Sequence, residues 1–276
     1  SLCCFRLSDG RLEYFKPIAG GQGELTRFGY LANEPWVGQL KIHQDKIYVG
    51  TNIGVLACMD WHTGNCHWLS RYDPVYQRLR IEQRRRMRFP YFNPRVWEPS
   101  PMLVDGERLL LAPIDSPCLF LVDAKSGEIL DYHKVQRRSS LLGIAQDYVL
   151  TSHQTGINIL EIGGSDRDKL SVAHQLAVTP AIQSKPLLFG QGIIYAYDDQ
   201  VRLISLSKKD GADFKSYNRL LYRLPERLIG RSRRNSIGSI SWWPDSHNHS
   251  KTDKSKLPCL LLRGRRGLIC LEARNQ

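Results

Sequence analysis

The segment from Lys46 to Trp68, KIYVGTNIGVLACMDWHTGNCHW, alternates short apolar runs with turn residues. Ile47–Val49 is the first run, Val55–Met59 is the second, and a third short run ends at Trp68. The turns between them read Asn-Ile-Gly and Asp-Trp-His-Thr-Gly. Apolar runs separated by Gly, Asn and Asp predict a meander of antiparallel strands. Such a sheet buries a face only against a neighbour, so we expect further copies of the pattern.

The same pattern recurs along the chain. Further copies occupy Glu107–Ile129, Asp147–Glu161, Gly192–Gly211 and Pro258–Glu272, and Leu2–Tyr14 matches the second half of the unit. Repeats of about forty residues with four strands each are typical of a β-propeller. The sequence therefore predicts an all-β protein built of four-stranded antiparallel blades, about six in number. We expect one domain over residues 1–276, with an incomplete blade at the N-terminus.

The turn after the second run has a recognisable spacing, Asp-x-x-Thr-Gly-x-x-x-Trp, and a second turn shares its first part. The residues concerned are Asp60, Thr63, Gly64, Trp68, Asp123, Ser126 and Gly127. In the second copy Asp131 occupies the place of the tryptophan, with Tyr132 beside it. Asp and Asn side chains stabilise turns by accepting backbone N–H bonds, so we expect Asp60 and Asp123 to cap these turns.

These residues resemble the repeat of pyrroloquinoline-quinone-type (PQQ-like) propellers, a group that includes quinoprotein alcohol dehydrogenases and BamB-type outer-membrane assembly lipoproteins. The resemblance implies that Trp68 packs between neighbouring blades. It also implies two open alternatives for the ring. Either the chain is a fragment of a ring of about seven or eight blades, or Leu260–Leu271 and Leu2–Tyr14 share one blade. Closure would remove exposed strand edges.

Two functions follow from the resemblance. The first is a non-catalytic scaffold that binds a protein or anionic partner through its loop face, in a soluble periplasmic or cell-envelope setting. The alternative is a segment of a PQQ-dependent quinoprotein dehydrogenase, which would need bound PQQ, a calcium site of carboxylate and amide oxygens, and a catalytic aspartate. No calcium ligand set can be picked out in this sequence, so the scaffold without a cofactor is the leading hypothesis and enzyme activity stays open.

Charge adds one candidate site. The chain carries 39 Lys and Arg against 27 Asp and Glu, a formal net charge of +12. Part of the excess lies in an insertion at residues 72–95, where cations stand beside aromatic rings. The candidate partner-binding residues are Arg84, Arg85, Arg86, Arg88, Phe89 and Tyr91. Such a segment suits nucleic acid, an anionic polysaccharide or lipid headgroups. The alternative is a solvated charged face.

Other features define the remaining expectations. The seven cysteines include no C-x-x-C pair, so no disulfide framework is predicted. No run of about eighteen apolar residues occurs, so no membrane-spanning helix is predicted. We expect an inner strand over Trp36–Ile42 and a basic connector over Tyr217–Ser239.

Overall fold

A computed structural model describes most of the chain. The described residues are 1–20, 38–51, 53–72, 100–135, 139–145, 148–153, 155–163, 168–178, 182, 186–189, 192–197, 200–208, 214–223, 237–243, 259–264 and 267–272. Every helix or strand assigned in these residues is a β-strand. The all-β prediction is confirmed.

The strands form sheets in which each strand pairs with its sequence neighbours. A two-stranded hairpin, the half-blade, consists of β1 (Leu2–Phe5) and β2 (Leu12–Lys16). Blade 1 consists of β3 (Gln39–His43), β4 (Lys46–Gly50), β5 (Val55–Asp60) and β6 (Cys66–Arg71). Blade 2 consists of β7 (Leu103–Asp105), β8 (Arg108–Leu111), β9 (Cys118–Asp123) and β10 (Ile129–Lys134).

The remaining sheets follow the same plan. Blade 3 consists of β11 (Ser140–Ala145), β12 (Tyr148–His153), β13 (Gly156–Ile162) and β14 (Leu170–Ala177). Blade 4 consists of β15 (Leu187–Phe189), β16 (Gly192–Tyr197), β17 (Gln200–Lys208) and β18 (Phe214–Arg223). A three-stranded sheet contains β19 (Ile237–Trp243), β20 (Cys259–Gly264) and β21 (Gly267–Glu272). The predicted architecture of four-stranded antiparallel propeller blades is confirmed for blades 1 to 4.

The chain divides into two compact units, residues 1–141 with 161–171 and residues 142–160 with 172–276. Whether residues 1–276 act as one domain stays a prediction. In the first unit, one core packs the half-blade on blade 1 through Leu2, Ile47 and Met59. A second core packs blade 1 on blade 2 through Leu56 and Phe120. Both cores arise because alternate residues of a strand point to opposite faces, so each inner strand can bury two apolar rows.

The second unit has a core of its own. Leu150, Ile157 and Ile159 of blade 3 pack with Ile193 and Tyr195 of blade 4. Tyr195 is completely buried, and its hydroxyl accepts a 2.8 Å hydrogen bond from the side-chain amide of Asn218. A buried phenol of this kind normally needs such a partner.

The structure corrects one prediction from sequence. The segment Tyr217–Ser239 is not a connector throughout, because β18 extends to Arg223 and β19 begins at Ile237. β18 pairs antiparallel with β17 along its whole length. The basic residues misled the prediction because an outermost strand with one edge in solvent tolerates charged side chains. The expected strand over Trp36–Ile42 is present from Gln39, and its first residues lie outside the described part.

Candidate functional site

The turns after β5 and β9 are held by aspartate side chains. Asp60 Oδ1 accepts hydrogen bonds from the amide and hydroxyl of Thr63, both at 2.7 Å, and from the amide of His62 at 3.0 Å. Asp123 Oδ1 accepts from the amide and hydroxyl of Ser126 at 2.6 and 2.8 Å. Hydrogen bonds from Thr63 and Ser126 lower the pKa of the two carboxyl groups. One oxygen of each carboxylate, Oδ1, is therefore engaged in turn formation.

Each of these turns also receives an aromatic side chain from the preceding sheet. The Tyr14 hydroxyl donates to the Trp61 carbonyl at 3.1 Å, and Trp68 Nε1 donates to the Ala124 carbonyl at 3.2 Å. Trp61 and Ala124 are the residues that directly follow Asp60 and Asp123. The half-blade and blade 1 therefore contact the next sheet through the same type of hydrogen bond.

Glycine makes room for these aromatic rings. A Cβ built on Gly64 would lie 2.7 Å from Cδ2 of Tyr14, and one built on Gly127 would lie 2.6 Å from Cδ2 of Trp68. The Ser70 hydroxyl donates to the Gly127 carbonyl. Both glycines have positive φ, +65° and +78°, which side-chain-bearing residues rarely adopt. Conformation and space both require glycine here.

Blade 2 makes the equivalent contact with different chemistry. In blade 1, Trp68 pairs with Cys58, which lies two residues before the turn aspartate. In blade 2, Asp131 pairs with Leu121, which also lies two residues before the turn aspartate. Asp131 Oδ2 accepts a 2.7 Å hydrogen bond from the backbone amide of Leu170, the first residue of β14. At this position the side chain of blade 2 accepts a backbone hydrogen bond, whereas Trp68 donates one.

At the opposite ends of these strands lies a buried polar cluster, which we call the Tyr72–Asp115 cluster (Thr51, Gly54, Tyr72 and Asp115). Asp115 Oδ1 is 2.9 Å from the Tyr72 hydroxyl oxygen, and Asp115 Oδ2 accepts from the Gly54 amide at 3.1 Å. The Tyr72 hydroxyl also contacts the Thr51 carbonyl oxygen. Asp115 is only 2% exposed. The cluster joins the β4–β5 loop, the end of β6 and the β8–β9 loop.

Burial sets the protonation of this cluster. It raises the pKa of Asp115 to about 6, against the lowering effect of the hydrogen bonds from Tyr72 and Gly54. Burial and the nearby Asp115 raise the pKa of Tyr72. The Tyr72 hydroxyl has one proton and two oxygen acceptors beside it. When Asp115 is protonated, its hydroxyl can donate to the Tyr72 oxygen while the Tyr72 hydroxyl donates to the Thr51 carbonyl, so that all three oxygens have a partner.

The cluster lies at the point where the long insertion leaves blade 1. Tyr72 directly follows β6, and Ser100 comes shortly before β7. The Ser100 hydroxyl accepts a 3.0 Å bond from the Leu141 amide, and its carbonyl accepts a 2.8 Å bond from Gln39 Nε2. Tyr72 and Ser100 are both buried. The six candidate partner-binding residues between them, Arg84, Arg85, Arg86, Arg88, Phe89 and Tyr91, lie outside the described residues.

Sequence reasoning missed the Tyr72–Asp115 cluster. The sequence pattern predicts only a turn between strands around Asp115–Pro117, and it places Tyr72 at the start of the insertion. One usable signal was present. A carboxylate set among Ala, Pro and Ile in a short loop has few local donors, which points to burial against a neighbouring segment.

The described ranges show neither a candidate metal site nor a candidate membrane-spanning helix. They contain no group of three or more His, Cys, Asp and Glu side chains suited to a metal ion. They also include no helix long and apolar enough to cross a membrane. Cys3, Cys4, Cys58, Cys66 and Cys118 are free thiols.

Comparisons with known proteins concern the fold. No family model matches the chain, and no curated protein matches its sequence. Among solved structures, BamB from Moraxella catarrhalis is 11% identical, with a TM-score of 0.42 over 87% of this chain and 83% of that chain. Hsv2 from Kluyveromyces lactis is 7% identical, with a TM-score of 0.48 over 87% of this chain and 62% of that chain.

The β-propeller domain of Cps50 (Swd1) from Myceliophteria thermophila is 13% identical, with a TM-score of 0.49 over 84% of this chain and 67% of that chain. The present chain spans 62% of the Hsv2 structure, which is less than two thirds of that chain.

Proposed function

We propose that this protein is a non-catalytic scaffold that binds a protein or anionic polymer through the loop face bearing the insertion at residues 72–95. The observation that carries the proposal is the anchoring of the chain on both sides of the insertion, at its first residue, Tyr72, and at Ser100 beyond its end. Tyr72 is held by Asp115, and Ser100 is held by Gln39 and Leu141. Long loops on a rigid scaffold commonly carry binding functions.

The composition of the insertion supports an anionic partner. Its cations are adjacent to aromatic residues, so phosphate or sulfate groups can pair with the guanidinium groups while rings stack. Nucleic acid is one such partner, and an anionic polysaccharide is another. A cell-envelope location belongs to the same proposal, because it follows only from the resemblance to BamB-type proteins.

Three of the described aspartates have structural roles, which supports a scaffold. Asp60 and Asp123 are engaged by turn amides, and Asp115 is buried between two loops. No observation in the described part of the chain favours the quinoprotein alternative. A ligand that binds the native state stabilises it. If the purified chain gave quinone absorbance and a higher melting temperature with PQQ and Ca²⁺, the hypothesis of a quinoprotein dehydrogenase would replace that of a scaffold.

The direct test measures binding to heparin and to duplex DNA as a function of salt concentration. The test variant replaces Arg84, Arg85, Arg86 and Arg88 by Gln. The matched control replaces the same number of cations elsewhere, namely Arg227, Arg231, Arg233 and Arg234. Each lost phosphate contact reduces the slope of log K against log salt by about 0.9 on duplex DNA.

For the test variant on DNA, we expect the slope of log K against log salt to be smaller in magnitude by up to about 4. For the control, we expect it to change much less. Equal losses in the two variants would indicate a diffuse charge effect and would contradict a site in the insertion. A binding constant that does not change with salt in the unaltered chain would remove the anionic partner altogether.

A further inference from the structure

Blade 4 contains an arginine whose charge is not balanced by a carboxylate of the described residues. Arg202 lies on β17 and is partly buried. None of the ion pairs formed in the described part of the chain includes it. A guanidinium group stays protonated in proteins, and burial removes part of its hydration. A cation in such a position is normally paired with an anion.

Neutral groups hold this guanidinium in place. Arg202 Nε donates to Asn218 Oδ1 at 3.0 Å, and Nη1 donates to Gln200 Oε1 at 2.7 Å. Because Nε can only donate, it fixes the orientation of the Asn218 amide. Asn218 Nδ2 therefore faces the Tyr195 hydroxyl, which accepts from it at 2.8 Å. Tyr195 is completely buried in the core of the second unit, so the contacts that orient the arginine end in that core.

The oriented guanidinium keeps donors for a ligand. It has five N–H groups in one plane, of which Asn218 and Gln200 use two. The three that remain include both N–H groups of Nη2. Paired N–H groups in one plane match the two oxygens of a carboxylate. A carboxylate also carries one negative charge, which balances the single positive charge of Arg202, whereas a phosphate dianion brings one charge too many.

An exposed apolar side chain lies beside these donors. Arg202 pairs with Leu220 of β18, so the two side chains are cross-strand neighbours on one face of the sheet. Leu220 is 45% exposed. A ligand whose carboxylate binds Arg202 can therefore pack its methylene groups on Leu220, which removes apolar surface from water.

We propose that Arg202 and Leu220 form a binding site for an aliphatic carboxylate, supplied either by a free carboxylic acid or by an acidic side chain of a partner protein. The carboxylate accepts from the Nη groups of Arg202, and the methylene groups attached to it cover Leu220. Asn218 and Tyr195 are positioning residues, because they orient the guanidinium. The site lies in blade 4, so it does not depend on the function proposed for the insertion.

The test uses the full ¹⁵N-labelled chain and follows the backbone amide signals of Arg202 and Leu220 during titration with sodium butyrate. Separate titrations use sodium chloride at the same ionic strength, sodium phosphate, and a blocked peptide of sequence ALELA. We expect saturable shifts with butyrate and with the peptide, and only small linear shifts with chloride. Tighter binding of the peptide would identify a protein as the source of the carboxylate, and tighter binding of butyrate would identify a free acid. Phosphate binding as tight as that of butyrate would overturn the proposal.

Three substitutions separate this site from a general effect of charge. Arg202→Lys keeps the charge without the planar donors and should weaken butyrate binding at least about ten-fold, because a charge-assisted hydrogen bond is lost. Asn218→Asp changes the size of the side chain very little and places a carboxylate against Nε. It should abolish binding, because the chain then supplies the anion itself.

Arg11→Lys is the matched control, since Arg11 is exposed just before β2, and it should leave butyrate affinity unchanged. Unchanged butyrate affinity in Arg202→Lys or in Asn218→Asp would overturn the proposal. So would equal shifts with butyrate and with chloride in the unaltered chain.

Discussion

Replacing Asp115 by Asn should stabilise the protein at neutral pH, although it alters a buried hydrogen-bonded group. Burial raises the pKa of Asp115 from its ordinary value of 3.8 to about 6. Because the raised value belongs to the folded state, the folded chain binds more protons than the unfolded chain between pH 4 and 6. Stability therefore falls as pH rises through this window. A shift of about 2 pKa units corresponds to about 3 kcal/mol lost by pH 7.

Asparagine reproduces the protonated form without the charge. Its oxygen can accept from the Gly54 amide, and its amino group can donate to the Tyr72 oxygen, which leaves the Tyr72 proton for the Thr51 carbonyl. We therefore expect Asp115→Asn to match the unaltered chain near pH 4. At pH 7 we expect it to be more stable by up to about 3 kcal/mol.

The assay is urea denaturation at a series of pH values from 4 to 8. Asp105→Asn, at the exposed turn between β7 and β8, is the matched control, and its stability should follow that of the unaltered chain at every pH. Parallel curves for Asp115→Asn and the unaltered chain would refute the reasoning. So would a loss of stability on substitution at pH 7, because the hydrogen bonds of the ionised carboxylate would then stabilise the protein by more than the burial of its charge destabilises it.

Two further substitutions test the contacts between sheets. Gly127→Ala should lower the free energy of unfolding in denaturant by about 2 to 4 kcal/mol, because alanine is strained at this positive φ and its Cβ clashes with Trp68. Gly106 also has positive φ, but a Cβ there meets no described atom within 4 Å, so Gly106→Ala should lower it by only about 1 kcal/mol. Equal costs would exclude the clash. Asp131→Leu should cost about 1 to 3 kcal/mol and speed hydrogen exchange at the Leu170 amide, and Asp131→Asn should recover most of the loss. Unchanged exchange at Leu170 would contradict this assignment.

The blades could be predicted from sequence because their signals are local. Val55–Met59 and Leu119–Val122 are short apolar runs, and each is followed by a turn built from Asp, Ser or Thr, and Gly. Strand propensity and turn chemistry act over a few residues, so a single chain displays them directly. The outermost strand β18 lacked this signal, because its solvent edge tolerates charges that make the segment look like a connector.

The buried cluster could not be predicted because its partners are distant in sequence. Asp115 and Tyr72 are 43 residues apart, and their contact depends on two loops meeting at the same end of neighbouring blades. Neither residue belongs to a motif. Only the placement of the β4–β5 and β8–β9 loops brings the carboxyl group, the phenol and the Gly54 amide together.

The contacts between sheets are made from the same register position in successive sheets. One register position is occupied by Tyr14 in the half-blade, Trp68 in blade 1 and Asp131 in blade 2. The first two donate to a backbone carbonyl of the next sheet, and the third accepts from a backbone amide. A backbone group at the contact between two sheets needs a partner, but the pairing side chain can be aromatic or acidic. The geometry of a repeat can therefore persist while its sequence signature is lost, and structure identifies the docking residue where a tryptophan motif does not.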